Sequence, residues 1–168
     1  MKLAALVFLI SAFFNTVVAR ASTYPFTISA APQTPILIVT GSETIVDGTA
    51  VPAPYFVLNS LTLSWTGNGI ANVVSVFLKS ADSTVECAFN ANDLKDMFPD
   101  AVSKRGNVVI LSGQTITSHP FGCGSVKVAN PASTSFNIPV TIESVAIITG
   151  GDNGDLQKIR ATTQIVIQ

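Results

Sequence analysis

Leu61-Thr62-Leu63-Ser64-Trp65-Thr66 alternates apolar and polar side chains, the period of two that belongs to a strand with one buried and one wet face. Leu61, Leu63 and Trp65 are expected to face inward, with Thr62, Ser64 and Thr66 in solvent. Gly67-Asn68-Gly69 follows, residues that tolerate positive φ, and 73–79 then resumes the strand pattern, so the sequence predicts a hairpin. Working outward, similar runs occupy 26–29, 36–40, 44–46, 55–58, 85–89, 108–117, 126–129, 135–142, 145–149 and 158–167. Gly, Pro, Asn or Asp stand between most of them. About nine to eleven short strands at this spacing predict an all-β sandwich or barrel. A single short helical turn is expected at 92–98, where Asn or Asp supplies a cap and Pro99 a stop. Prolines 25, 32, 35, 52 and 54 punctuate the first third and favour edge strands and bends there.

The first 21 residues read as a secretory signal peptide: a basic start at Met1-Lys2, an apolar stretch over 3–14, and Ala19-Arg20-Ala21 before Ser22. Residues 22–168 are then expected to form one exported domain, secreted or, in a bacterium, periplasmic or cell-surface. No later segment is apolar enough to predict stable membrane insertion. Lys2 and Arg20 leave with the leader, so seven basic residues face ten acidic ones and the net charge is about −3. The basic residues are scattered, which argues against nucleic acid as a partner. Charged residues make up only 11% of the chain, against a usual share of about 25%, and predict a neutral, hydroxyl-rich surface. An exported protein with two cysteines is expected to join Cys87 to Cys123, closing a loop whose restriction contributes roughly 3–4 kcal/mol.

The run VECAFNANDLKDMF (85–98), a connector, and NVVILSGQTITSHPFGCGSVKVAN (107–130) resembles the closing half of immunoglobulin-like β-sandwich modules of bacterial and archaeal secreted and surface proteins. There a strand ends in a short turn of helix, then come a strand of the form leucine-threonine-x-threonine-glycine, a tight turn and a final strand. The resemblance covers about 45 residues and implies an immunoglobulin-like fold, with a jelly-roll-like sandwich as the alternative; such modules are mostly spacers or binding platforms. It carries over no functional residue. The antibody arrangement is excluded, because Trp65 precedes both cysteines instead of lying between them.

His119 lies four residues before Cys123, a pair that could supply a thiolate and its base, but the expected disulfide removes the thiol. One histidine and two cysteines fall short of a closed zinc set. Asp152, Asn153 and Asp155 place three oxygen-bearing side chains on a tight loop where extracellular calcium could bind; a plain hairpin loop is the favoured reading, and no other cofactor is expected. Glu86 and Glu143 lie on strands and could meet across a sheet as an acid pair, though each alternates with apolar neighbours as an outward residue would. Tyr24 and Tyr55, beside prolines at strand ends, are the candidate sugar-stacking aromatics, whereas Trp65 is expected in the core. Lys104-Arg105 reads as a solvated turn or a dibasic processing site. No Asn-x-Ser/Thr acceptor occurs.

These features predict a non-catalytic extracellular binding, adhesion or structural module that meets a protein or polysaccharide surface. A lectin-like or carbohydrate-active protein is the first alternative. The second is a self-assembling surface subunit exchanging its terminal strand, or a host-directed effector.

Overall fold

The computed structural model describes residues 25–39, 43–46, 49–52, 54–128, 135–150 and 156–168. These are mostly β, in antiparallel sheets with one short helix, and fit the expected all-β sandwich. The strands are β1 (Phe26–Ala31), β2 (Glu43–Val46), β3 (Thr49–Pro52), β4 (Phe56–Leu58), β5 (Ser60–Trp65), β6 (Ile70–Ser80) and β7 (Glu86–Phe89). Helix α1 (Ala91–Met97) follows, then β8 (Val108–Leu111), β9 (Gln114–Thr117), β10 (Phe121–Cys123), β11 (Ile138–Thr149) and β12 (Gln157–Ile167).

The first sheet has the order β1-β5-β9, and the second β12-β11-β6-β7 with β8 also paired to β6. β2 and β3 pair only with each other among the described residues. β4 and β10 extend the first sheet: Leu58↔Phe121 and Thr62↔Thr117 keep one register, so β4-β5 and β9-β10 form a single ribbon broken at Asn59 and His119-Pro120. Pro120 has no N–H to give, and the His119 N–H donates instead to the Met97 carbonyl at the end of α1, 2.8 Å away. At the break, buried Ser118 accepts the Leu61 N–H on its hydroxyl (2.8 Å), while its own N–H donates to the Leu61 carbonyl.

The hairpin expected between 61–66 and 73–79 does not form. β5 has both edges taken, by β1 and β9, so β6 lies in the opposite sheet. The crossing is fixed by Trp65, whose ring lies against Gly67 and whose Nε1–H donates to the Gly69 carbonyl (3.2 Å). Other boundaries shift as well. The expected strand 108–117 breaks into β8 and β9 at a turn whose Gly113 has φ +77°. Among the described residues, 126–128 of the expected strand at 126–129 show only a Val85↔Val126 bridge and 36–39 of that at 36–40 only an Ile38↔Tyr55 bridge, residues 129 and 40 lying outside them, and 135–142 and 145–149 fuse into β11.

After β1 the chain changes sheets across the cis Ala31–Pro32 bond and runs parallel to the end of β12. There the Val166 N–H donates to Gln33, the Gln168 N–H to Pro35, and the Leu37 N–H to the Gln168 carbonyl. This blunts part of an edge that would otherwise be open to pairing.

Phe26, Leu61, Leu63 and Trp65 from the first sheet belong to one buried cluster with Val76, Leu78, Val140, Ile142, Ile165 and Ile167 from the second. Each such burial contributes about 1.5–3 kcal/mol. β6 follows the period of two only in halves: Ala71 and Val73 face inward, then Val76, Leu78 and Ser80 do. Its register against β11 slips by one, from Val145↔Ser75 to Ala146↔Val73, which leaves Val74 unopposed as a β-bulge. Helix α1 begins with a capping box, Asn90 accepting from the Asn92 N–H and Asp93 from the Asn90 N–H, and buries Leu94 and Met97. The Cys87–Cys123 disulfide forms, with Cα atoms 5.9 Å apart. It ties β7 of the second sheet to β10, and Phe89 meets Phe121 edge-on beside it (centroids 5.2 Å).

Candidate functional site

The outer faces of the two sheets differ in degree, the first also showing Val57 of β4, 37% exposed. On the first, Thr62 and Thr117 share a hydroxyl contact (3.3 Å), as do Ser64 and Thr115 (2.7 Å), so the outward side chains partly satisfy one another. On the second, the residues outward from β6 include Ile70, Val74 and Phe77, and those from β8 are Val109 and Leu111. Ile70, Phe77 and Leu111 stay 39%, 42% and 44% exposed. Ile70 and Leu111 are neighbours across the β6–β8 ladder and Phe77 stands toward the far end of β6; a contiguous apolar patch on a sheet face marks a contact surface.

Two hollows lie on this face, one at each end of β6. The first, about 590 Å³, surrounds Phe77. The strand register sets Phe77 between Ala88 and Glu143 in one row and Lys79 between Glu86 and Thr141 in the next. Lys79 Nζ lies 3.8 Å from Glu86, and Arg160 Nη1 lies 3.4 Å from Glu143. Both pairs are solvent-accessible, worth about 0–1 kcal/mol each, so they leave the rim locally neutral without rigidifying it. The second hollow, about 830 Å³, is floored by outward residues of β8, β6 and β11 and walled by Ser103–Asn107. That wall is a hydrogen-bonded turn: the Ser103 N–H donates to the Asn107 carbonyl and the Gly106 N–H to the Ser103 carbonyl, both at 2.8 Å, with Gly106 at φ +78°.

No family model, curated protein or solved structure matches the chain.

The residues singled out from sequence fall in different places. Cys87 and Cys123 are joined, so Cys123 offers no thiolate to His119, whose exposed ring stands on the β9–β10 connection. Glu86 and Glu143 do share the Phe77 hollow, each beside a cation. Tyr55 is half-buried and held by main-chain bonds to Ile38 in both directions (2.7 and 3.0 Å). Trp65 is buried. The segment 157–168 pairs with β11 from Gln157 to Ile167. Tyr24, Asp152, Asn153, Asp155 and the expected leader lie outside the described residues.

Sequence reading missed Phe77, Ile70 and Leu111. One signal was present: Val108-Val109-Ile110-Leu111 is apolar at every position, so a strand there must show half of those side chains outward. In β6 the bulge hid the signal, because it switches which parity faces the core.

Asp82 belongs to the β6–β7 turn. Its carboxylate accepts from the Ser80 hydroxyl (2.6 Å) and the Thr84 N–H (3.0 Å), and its pKa falls from 3.8 to about 2, with the Ser80 bond the largest cause.

Proposed function

We propose that this chain is a secreted, non-catalytic binding module of immunoglobulin-like architecture, meeting its extracellular partner with the outer face of the β12-β11-β6-β7/β8 sheet. The carrying observation is the exposure of Phe77, Ile70 and Leu111 on that one face, over two hollows. The architecture draws support from the strand order: first, second and fifth strands in one sheet, and the third, its neighbour, sixth and seventh in the other, if β1, β5, β6, β9, β11 and β12 are matched to A, B, C, E, F and G. The leader and the disulfide agree with an exported protein.

A carbohydrate partner is the second reading, favoured by the setting of Phe77, an exposed ring with Glu86 and Glu143 in the same hollow. Ring faces stack on sugar C–H groups while carboxylates accept from hydroxyls. One experiment addresses both readings: retention of the oxidised protein on insoluble polysaccharides, cell walls and immobilised extracellular proteins, with Phe77→Ser and Leu111→Ser in parallel. Saturable retention on one of these, reduced at least tenfold by a variant of unchanged Tm, is expected. Retention on polysaccharide lost with Phe77→Ser selects the sugar reading. No saturable retention on any surface, or retention indifferent to both variants, contradicts the proposal.

A further inference from the structure

We infer that the groove between the second sheet and the Ser103–Asn107 turn receives an extended segment of a partner protein, apolar side chains flanked by carboxylates; this rests on the binding-module reading above and names the partner's chemistry. The groove, about 830 Å³, falls within the size range of ligand clefts. Its floor is apolar where Ile70 pairs with Leu111, and Val109 and Ile147 flank Asn72 on either side. Lys104 and Arg105 stand exposed on its wall. Neither is paired with a carboxylate among the described residues, and no described acidic residue lines the groove. Two unneutralised cations beside an apolar floor are complementary to an acidic, apolar occupant, and the arginine fork suits a carboxylate in particular.

The lining selects peptide over acyl chain. Polar side chains are interspersed along it: Asn72 commits its Nδ2 to the Ile147 carbonyl (3.2 Å) and the Thr149 hydroxyl (3.1 Å), and its Oδ1 accepts from no described residue. Ser103 and Asn107 add further polar atoms at the wall. An extended peptide brings an N–H and a C=O with every residue and needs such partners; a hydrocarbon tail does not. The turn's own hydrogen bonds hold the wall in place before any partner arrives, which lowers the ordering cost of binding.

The test selects a random dodecapeptide phage library on the immobilised oxidised protein, wild type and Lys104→Glu/Arg105→Glu, with laurate binding and sedimentation measured in parallel. Wild type is expected to enrich peptides rich in Asp or Glu together with Leu, Ile or Val. Affinity for the most enriched peptide is expected to fall at least tenfold in the charge-reversed variant and in Leu111→Ser, and to weaken with added salt. Lys104→Ala/Arg105→Ala, which removes charge without reversing it, guards against misfolding of the double-Glu protein and is expected to lose affinity at unchanged Tm. The inference is overturned by no enrichment, by enrichment of neutral or basic peptides, or by indifference to these variants. Laurate uptake without peptide selection assigns the groove to an anionic amphiphile, and a dimer that Leu111→Ser dissolves assigns it to a second copy; either overturns it as well. If peptide selection fails while surface retention still depends on Phe77, only this inference falls. If retention itself fails, the module reading falls first.

Discussion

Gly67 has no room for a methyl group. A Cβ built on it would come within 3.0 Å of three carbons of the Trp65 ring, which is itself buried and hydrogen-bonded to Gly69. Gly67→Ala is therefore expected to lower stability by about 1–3 kcal/mol, read as a lower midpoint in chemical denaturation with the slope unchanged. Ser144 is the opposite case. It is fully buried in β11, and its hydroxyl finds no partner among the described residues. Ser144→Ala removes that unsatisfied group and is expected to raise stability by about 1 kcal/mol in the same assay. Asp82 gives a pH signature. Its folded pKa lies below its ordinary 3.8, so its contribution is present above that value and fades as pH falls toward about 2. Asp82→Asn should lower the denaturation midpoint at pH 7, by an amount that shrinks at pH 3 and is lost as the pH falls through about 2. At this scale sequence reads well where the environment is local: the burial of Trp65 followed from alternation with Leu61 and Leu63. It reads poorly for Gly67, whose role depends on a ring folding back over it.

Elements held by short-range chemistry were the legible ones. Helix α1 sits within two residues of its expected span because its cap, Asn90 with Asp93, and its stop, Pro99, are written in adjacent residues. Asn90→Ala is expected to cost about 1 kcal/mol, checked by thermal unfolding, and more if the loosened helix releases Leu94 from the core. Strand pairing was not legible in the same way. β5 pairs with residues 26–31 and 114–117, and no local pattern announces partners that distant, so the nearest strand in sequence looked like a hairpin mate. The bulge at Val74 had a similar effect on the site. It reverses which side chains of β6 face out, and a uniform alternation through 73–79 would have placed Phe77 in the core. The exposed face was therefore hidden by one extra residue.

Across the whole molecule, the disulfide bears on stability and, in the proposed reading, the outer face of the second sheet bears on recognition. Cys87 and Cys123 join the edge of the second sheet to the ribbon that extends the first, over a separation of 36 residues. Reduction is expected to remove roughly 3–4 kcal/mol, seen as a lower denaturation midpoint in the presence of a thiol reductant. The pairing was legible from the count of cysteines and the leader-like pattern of the first residues; the faces were not, because their contrast emerges only once strands from all along the chain are assembled. One face partly satisfies its own hydroxyls and exposes Val57, and the other leaves Phe77, Ile70 and Leu111 in water. The proposed reading assigns recognition to the second of these. Its most direct test is a face-resolved comparison of retention on the extracellular surface that holds the wild-type protein best, using Phe77→Ser, Ile70→Ser and Leu111→Ser against Thr62→Ala, Ser64→Ala and Thr115→Ala at matched Tm. Binding should fall at least tenfold for members of the first set and change less than twofold for the second. Equal losses on both faces, or losses confined to the hydroxyl face, would overturn the assignment of recognition to the second sheet.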